Sequence, residues 1–564
     1  MPSYRLKFVI FFFTLLSFSS LHAKPAAVAM PDSYSAEVAQ SVLQAGGNAI
    51  DAAVAVGFVL AVTYPEAGNL GGGGFMLIHH QGENNFLDFR ETAPAQAHRD
   101  LFLDEKGEVL PYQSLLSYQA SGVPGSVMGY WQAHQRYGKL EWSRLVEPAI
   151  KLAEQGFEVH PKLAETARWY QGWTADKTDV INFSDYFGDL HPGETFKQPE
   201  LANTLRRIAQ QGYKDFYHGE TARYLSQQMQ QNQGLIRLED LAAYQAVWRK
   251  PLVGEWQGRQ IVSAPPPSSG GLALIQLLNI KQHLAHEFEG LAHNSPEYIH
   301  LLAEIMKRVY ADRAAYLGDP DFYQVPVEAL LDKDYLLQRA QQVNPTRISD
   351  SQGVQPGLKE SEQTTHYSII DTEGNAVSTT ITLNMPFGNG VVIEGAGFLM
   401  NNQMDDFSAK PGVANLYGVV GGEANAIEAN KRMLSSMSPT LVLKQNQVQQ
   451  VLGTPGGSTI ITSVFQALVN LIEFEMDAQQ AIDVERIHHQ LWPEDHIGFH
   501  PTLAADSLNQ LESMGYTVEQ RRFFGDLQLI HSQSNGELSA ASDHRGRGES
   551  RVFTIPNKKT SFDD

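Results

Sequence analysis

The chain has 564 residues, 42% hydrophobic and 19% charged, which provides for an ample buried core and exceeds the usual size of a single domain. Its formal net charge of -21 excludes nucleic acid and anionic membrane surfaces as natural partners, because both attract basic faces and repel acidic ones. With no cysteine there is no disulfide framework, lipid-attachment thiol or thiol nucleophile, so covalent chemistry must use oxygen, nitrogen or a carboxylate.

At the amino terminus Arg5 and Lys7 precede an apolar run from Phe8 to Leu16, with small residues following around Ala23. This predicts a signal peptide over residues 1–23 and no stable membrane anchor, since the run is well short of the ~20 residues needed to span a bilayer. The expected destination in a bacterium is periplasmic or secreted. From Ser35 to Val62 the apolar spacing predicts two helices, interrupted at Gly46-Gly47-Asn48. Four glycines, Gly71 to Gly74, then lead into the strand-like Phe75 to Ile78. No Gly-Lys-Ser/Thr follows, so they read as a close backbone approach or an unusual turn rather than a phosphate loop. Asn85 to Phe89 alternates like a second strand and delivers Arg90 at its end.

Between about Gly125 and Val343 the pattern is mainly helical, with amphipathic stretches at Trp142 to Glu154, Leu201 to Gln211, Gly270 to His283 and Pro296 to Tyr316. Pro265 to Gly271 reads as a rigid connector from a short strand to a helix. Pro345 to Gln363 is polar and without apolar period, a linker. Beyond it the period becomes two: His366 to Asp371 and Asn375 to Leu383 predict a hairpin around Thr372-Glu373-Gly374. Further strands are predicted at Pro439 to Leu443, Gln450 to Leu452 and Arg551 to Ile555, with a helix over Ser458 to Phe474. Strand pairs and helices in blocks favour an α+β sandwich over a doubly wound sheet.

The chemistry is narrowed by what the motifs lack. His79-His80 and His488-His489 are adjacent pairs that point to opposite faces of a strand, and neither His-Glu-x-x-His nor Gly-x-Ser-x-Gly occurs. No metal or other cofactor is expected. A threonine acts alone only if some group takes its proton, and a free α-amino group, with a pKa of about 7.7 to 8.0, is suited to that. An internal threonine must first become amino-terminal, which its own hydroxyl achieves by attacking the preceding carbonyl. Read alone, Thr364-Thr365 before a strand says little, because threonine is a good strand residue.

The runs Thr364 to Ser368, Asn401-Asn402-Gln403-Met404-Asp405-Asp406-Phe407, Leu434 to Pro439 and Gly453-Thr454-Pro455-Gly456-Gly457 together resemble the gamma-glutamyltransferases, or glutathione hydrolases, in order and spacing. The resemblance continues upstream through Gly68 to Gly74, Arg90-Glu91 and the Pro265 to Gly271 connector, covering nearly all of the chain past residue 23. It implies an amino-terminal-nucleophile hydrolase, a four-layer αββα sandwich of two antiparallel sheets between helices, formed jointly by two parts after self-cleavage between Gln363 and Thr364. Residues 24–363 would be the large subunit and 364–564 the small catalytic one, remaining together as a heterodimer.

The same resemblance makes Thr364 the nucleophile, Thr382 its orienting partner, and Gly456 and Gly457 the backbone donors to the oxyanion. Arg90, Ser435 and Ser436 would hold the α-carboxylate of a γ-glutamyl group, and Asn384, Gln403 and Asp406 its α-ammonium, with Asp405 a structural neighbour. Pro411 to Gly422 resembles a lid loop in which Tyr417 closes toward Asn384. Met433 departs from the proline common in relatives, which bears on loop rigidity. The implied donors are glutathione and related γ-glutamyl compounds, and the implied acceptors are water, amino acids and peptides. Two other readings are an acylase of the same superfamily, whose substrate has no α-ammonium, and an inactive secreted amino-acid-binding homologue.

Overall fold

The computed structural model describes residues 25–350, 363–410, 422–521, 524–533 and 535–555. The expected signal peptide, most of the linker and Tyr417 with its loop lie outside them. In chain order the strands of the two main sheets are β1 (Pro25–Met30), β2 (Gly73–His80), β3 (Glu83–Phe89), β4 (Val247–Arg249), β5 (Leu252–Trp256), β6 (Arg259–Ser263), β7 (Gln363–Ile370), β8 (Ala376–Asn384), β9 (Thr440–Lys444), β10 (Gln447–Gly453), β11 (Gln528–Ser532), β12 (Leu538–Ser542) and β13 (Glu549–Thr554). The first sheet runs β13-β1-β7-β8-β2-β3-β4 and the second β12-β11-β10-β9-β6-β5, with every pairing antiparallel.

The period-two hairpin at 363–384 lies near the middle of the first sheet. Its turn closes because Asp371 Oδ1 accepts from the main-chain N–H groups of Glu373 and Asn375 while Gly374 takes φ +85°. Alternation then sorts the side chains. Tyr367 and Ile369 join the apolar core beneath the first sheet, and Tyr367 Oη donates to the Ala53 carbonyl. On the other face Ser368 and Ser378 donate to the carbonyls of Gln528 and Leu452 in the second sheet.

Helices α1 (Ser33–Gln44), α2 (Ala49–Thr63), α3 (Ser126–Tyr137) and α4 (Trp142–Gln155) cover the outer face of the first sheet. α2 is apolar on nearly all sides and wholly buried, as a central helix of that layer must be, and Asn48 and Asp51 cap it reciprocally. Helices α5 (Gly270–His283), α6 (Pro296–Tyr316), α7 (Thr459–Ile472) and α8 (Ala478–Asp483) lie on the second sheet's side. The result is the αββα sandwich the sequence pattern and its resemblance anticipate.

Two differences matter. Besides the short strand expected before Pro265, which is β6, the stretch read as mainly helical also contains β4 and β5, and it feeds both sheets. Gln363, expected as the end of the linker, is already in β7. Residues before the 363–364 junction therefore supply β1 to β4 of the first sheet and β5 and β6 of the second, while later residues supply the rest. Neither side of the junction completes a sheet, so each part needs the other to bury the shared core.

The four glycines are explained by crowding and not by positive φ. A Cβ on Gly71 would stand 2.1 Å from the Leu399 carbonyl oxygen, on Gly72 2.2 Å from that of Thr382, and on Gly74 2.3 Å from that of Thr380. A Cβ on Gly73 would meet the Phe89 carbonyl oxygen at 2.6 Å. The run lets β2 press against β8 at the end where Thr364 lies.

Candidate active site

Thr364 and Thr382 sit on the neighbouring strands β7 and β8, both buried, and Thr364 Oγ1 donates to Thr382 Oγ1 at 3.4 Å. The β7–β8 register shifts between Ile381 and Asn384, a bulge that turns the backbone at the site. Asn384 takes φ +78°, its main-chain N–H donates to Thr382 Oγ1 at 2.8 Å, and its Nδ2 donates to the Asn402 carbonyl at 3.1 Å. This links the Thr364–Thr382 strand pair to the Gln403–Asp406 turn. Two residues beyond Thr364, His366 is buried against Gly453 at the end of β10, where burial pushes its pKa down to about 3. Its Nδ1 lies 2.9 Å from Thr380 Oγ1.

Gly453 opens the Thr454-Pro455-Gly456-Gly457 turn that enters α7. Gly456 and Gly457 take φ +133° and +55°, and their carbonyls accept from the N–H groups of Thr459 and Ile460. The turn brings main-chain donors to a helix start, where peptide dipoles favour negative charge.

The charged groups form a second cluster joined to the first. Arg90 follows β3, and the register pairing Gly74 with Phe89 and Gly73 with Thr382 places it near the Thr364–Thr382 end of the sheet, with β2 between β3 and β8. Its guanidinium is buried and ion-pairs with Asp406 Oδ2 at 2.5 Å, and Gln403 Nε2 donates to that same oxygen at 2.7 Å. Arg90 Nη2 also donates to the Leu434 carbonyl at 3.0 Å, which brings Arg90 to the loop of Ser435 and Ser436. Ser435 Oγ accepts from the Met437 N–H at 3.1 Å. Asp405 turns away from Arg90 and accepts from Ser114 Oγ at 2.5 Å; burial raises its pKa to about 7, against the lowering effect of that bond. Hydrogen bonds and chain neighbours thus connect Arg90, Asn384, Gln403, Asp406, Ser435 and Ser436 to the Thr364–Thr382 pair. Of Gln363 only the place in β7 is described.

Two residues of this region were not singled out from sequence. Arg313 is fully buried on α6, its Nε donating to Ser269 Oγ at 2.8 Å and its Nη2 to Ser436 Oγ at 3.0 Å, and burial pushes its pKa down to about 10. Glu91, also fully buried, has its pKa raised to about 7 by burial, against the opposing pull of Arg90 whose Nη1 stands 3.7 Å away. Arg313 lies in an ordinary amphipathic helix pattern, where nothing marks it off from a solvated charge. Glu91 was visible only as Arg90's neighbour.

An antiparallel αββα sandwich with a buried threonine near the start of an inner strand, paired to a second threonine across the ladder, defines an amino-terminal-nucleophile hydrolase. The gamma-glutamyltranspeptidase family model matches residues 35–553. The chain is 55% identical over 525 residues to a glutathione hydrolase proenzyme of Pseudomonas aeruginosa, covering 93% of each. Among solved structures, it resembles cephalosporin acylase from Bacillus halodurans at 26% identity with a TM-score of 0.80, covering 96% of this chain and 99% of that one. It also resembles the gamma-glutamyltranspeptidase of Pseudomonas nitroreducens complexed with L-DON, at 55% identity with a TM-score of 0.57, covering 58% of this chain and 97% of that one. The chain belongs to the gamma-glutamyltranspeptidase family.

Proposed function

We propose that this precursor cuts itself between Gln363 and Thr364 and then uses Thr364 to carry a γ-glutamyl group from glutathione or a related amide to water, an amino acid or a peptide. In maturation, Thr364 Oγ1 attacks the Gln363 carbonyl, the C–N bond breaks as the acyl group moves to oxygen, and water hydrolyses the ester to leave a Gln363 carboxylate and a free Thr364 amino group. In turnover that amino group accepts the hydroxyl proton while Oγ1 attacks the γ-carbonyl. The Gly456 and Gly457 N–H groups stabilise the oxyanion, the leaving amine takes the proton, and the γ-glutamyl ester passes to the acceptor.

The observation that carries this reading is the joined pair of clusters: Thr364–Thr382 at one end and the buried Arg90–Asp406 ion pair at the other. A γ-glutamyl group has its reacting carbonyl several bonds from an α-carboxylate and an α-ammonium, which suits Arg90 with Ser435 and Ser436 for the first and Asp406, Gln403 and Asn384 for the second. An acyl group without the ammonium would leave Asp406 without a ligand cation, which favours γ-glutamyl transfer over the acylase alternative. Among the described residues no helix is long and apolar enough to cross a membrane. The basic-then-apolar amino terminus supports export to the periplasm or medium.

The test is maturation and turnover together. Purified protein should run as two chains, the smaller beginning at Thr364, and should release γ-glutamyl groups from glutathione, with added dipeptide distinguishing transfer from hydrolysis. A chain that stays whole and releases nothing refutes the mechanism.

A further inference from the structure

Arg90 is held from two directions, and one fully buried carboxylate connects them. Asp88 Oδ1 accepts from the Arg90 main-chain N–H at 2.9 Å. Its Oδ2 accepts from Arg249 Nε at the end of β4 at 2.7 Å and stands 3.5 Å from Arg432 Nε. Arg432 directly precedes Met433 and Leu434, whose carbonyls accept from Arg90 Nε at 3.4 Å and Nη2 at 3.0 Å. Asp88 therefore ties the strand end that carries Arg90 to the loop that orients its guanidinium. Asp319 secures the same loop, its Oδ2 accepting from the Arg432 main-chain N–H at 2.7 Å.

We propose that Asp88 is a positioning residue for γ-glutamyl recognition. By fixing the Arg90 backbone and, through Arg432, the Met433–Leu434 carbonyls in one frame, it sets the plane in which Arg90 meets the substrate α-carboxylate. This rests on the reading of Arg90 as the α-carboxylate anchor. A planar guanidinium binds a carboxylate well only when its donors are aimed, so a small rotation costs recognition while leaving the charge in place. Without the Asp88 charge, Arg432 and Arg249 lose the carboxylate they share, Arg249 keeping Asp321, and the end of β3 and the Arg432–Leu434 segment lose their common anchor. No hydrogen bond or ion pair of Asp88 reaches Thr364 or the Gly456-Gly457 turn, so its influence falls on binding and not on the acyl-transfer step.

The experiment compares γ-glutamyl-p-nitroanilide with 4-aminobutyryl-p-nitroanilide, which keeps the ammonium but lacks the α-carboxylate, on matured two-chain enzyme. Asp88→Asn should raise KM for the first substrate roughly ten- to a hundredfold, with kcat within about threefold, and leave kcat/KM for the second within about threefold. In an Arg90→Ala background, Asp88→Asn should add less than about threefold to KM, because the group it positions is gone. Equal losses on both substrates, or the full factor reappearing in the Arg90→Ala background, would show Asp88 to be merely structural and overturn the proposal. If Arg90→Ala by itself leaves the γ-glutamyl KM unchanged, the reading of Arg90 fails and the proposal falls with it. Should Asp88→Asn not mature, Arg432→Lys keeps the charge but not the Nε contact and reads the same KM split; no split there overturns the proposal too.

Discussion

Asp406→Asn is the sharpest probe of substrate selection, because Asp406 and Arg90 already neutralise each other. Their side chains are 10% and 1% exposed and meet at 2.5 Å, so this pair is shielded from solvent. A γ-glutamyl group presents a carboxylate and an ammonium, and in the proposed binding mode its entry would exchange one ion pair for two: Arg90 with the carboxylate, Asp406 with the ammonium. A glutaryl group offers only the carboxylate. It would take Arg90 and leave Asp406 buried beside a second anion, a loss of roughly 2 to 5 kcal/mol, which corresponds to about 30- to 5,000-fold in kcat/KM. The wild type should therefore prefer γ-glutamyl-p-nitroanilide over glutaryl-p-nitroanilide by a factor in that range. In Asp406→Asn the amide keeps the shape but not the charge, so kcat/KM for the γ-glutamyl substrate should fall by a similar factor while the glutaryl substrate is unchanged or improved. Steady-state kinetics on both substrates checks this. A ratio that stays the same in the variant would mean that Asp406 does not read the ammonium and that the exchange argument is wrong.

Thr364→Ala should remain a single chain on a denaturing gel, since it lacks the hydroxyl that attacks Gln363. In that uncleaved background Gly72→Ala should lower stability by about 1 to 3 kcal/mol or more, because the new Cβ would stand 2.2 Å from the Thr382 backbone oxygen, which has no rotamer to yield; urea denaturation at fixed pH measures it. His366 predicts acid sensitivity. Its folded pKa is near 3 against about 6.5 unfolded, so its neutral form is favoured in the fold and stability is retained above pH 6.5. As pH falls from 6.5 toward 3 the unfolded chain binds the proton first, and stability drops by about 1.4 kcal/mol per unit. His366→Asn should flatten the denaturation midpoint over that window by about this slope, and an unaltered profile would contradict the assignment.

The parts of the fold that show up in sequence are those whose signal is local. α5 and α6 match their expected limits residue for residue, and the 363–384 hairpin follows from strict alternation around a turn that needs Gly374. β4 did not stand out, because three half-buried residues carry too little periodicity to register against the helical stretch around them. Its importance comes from its position: Arg249 at its end is where Asp88 finds its partner.

The site divides along the same line. Thr364, Arg90 and Asp406 stand in motifs whose order the family shares, but the partners that hold the charged pair come from far away in sequence, some from other motifs and some from none. Arg313 reaches Ser436 across 123 positions of sequence, and Arg90 meets Asp406 across 316. Asp88 illustrates the limit best. In sequence it is a charged residue in an alternating strand, on the face that Phe86 shares. It is paired in the interior because two distant arginine-bearing segments, at Arg249 and Arg432, converge on it, and that convergence is a property of the tertiary fold and not of the strand. Specificity in such an enzyme lies in the buried charges behind the motif as much as in the motif itself, because aiming a guanidinium depends on what holds its backbone and its carbonyl acceptors.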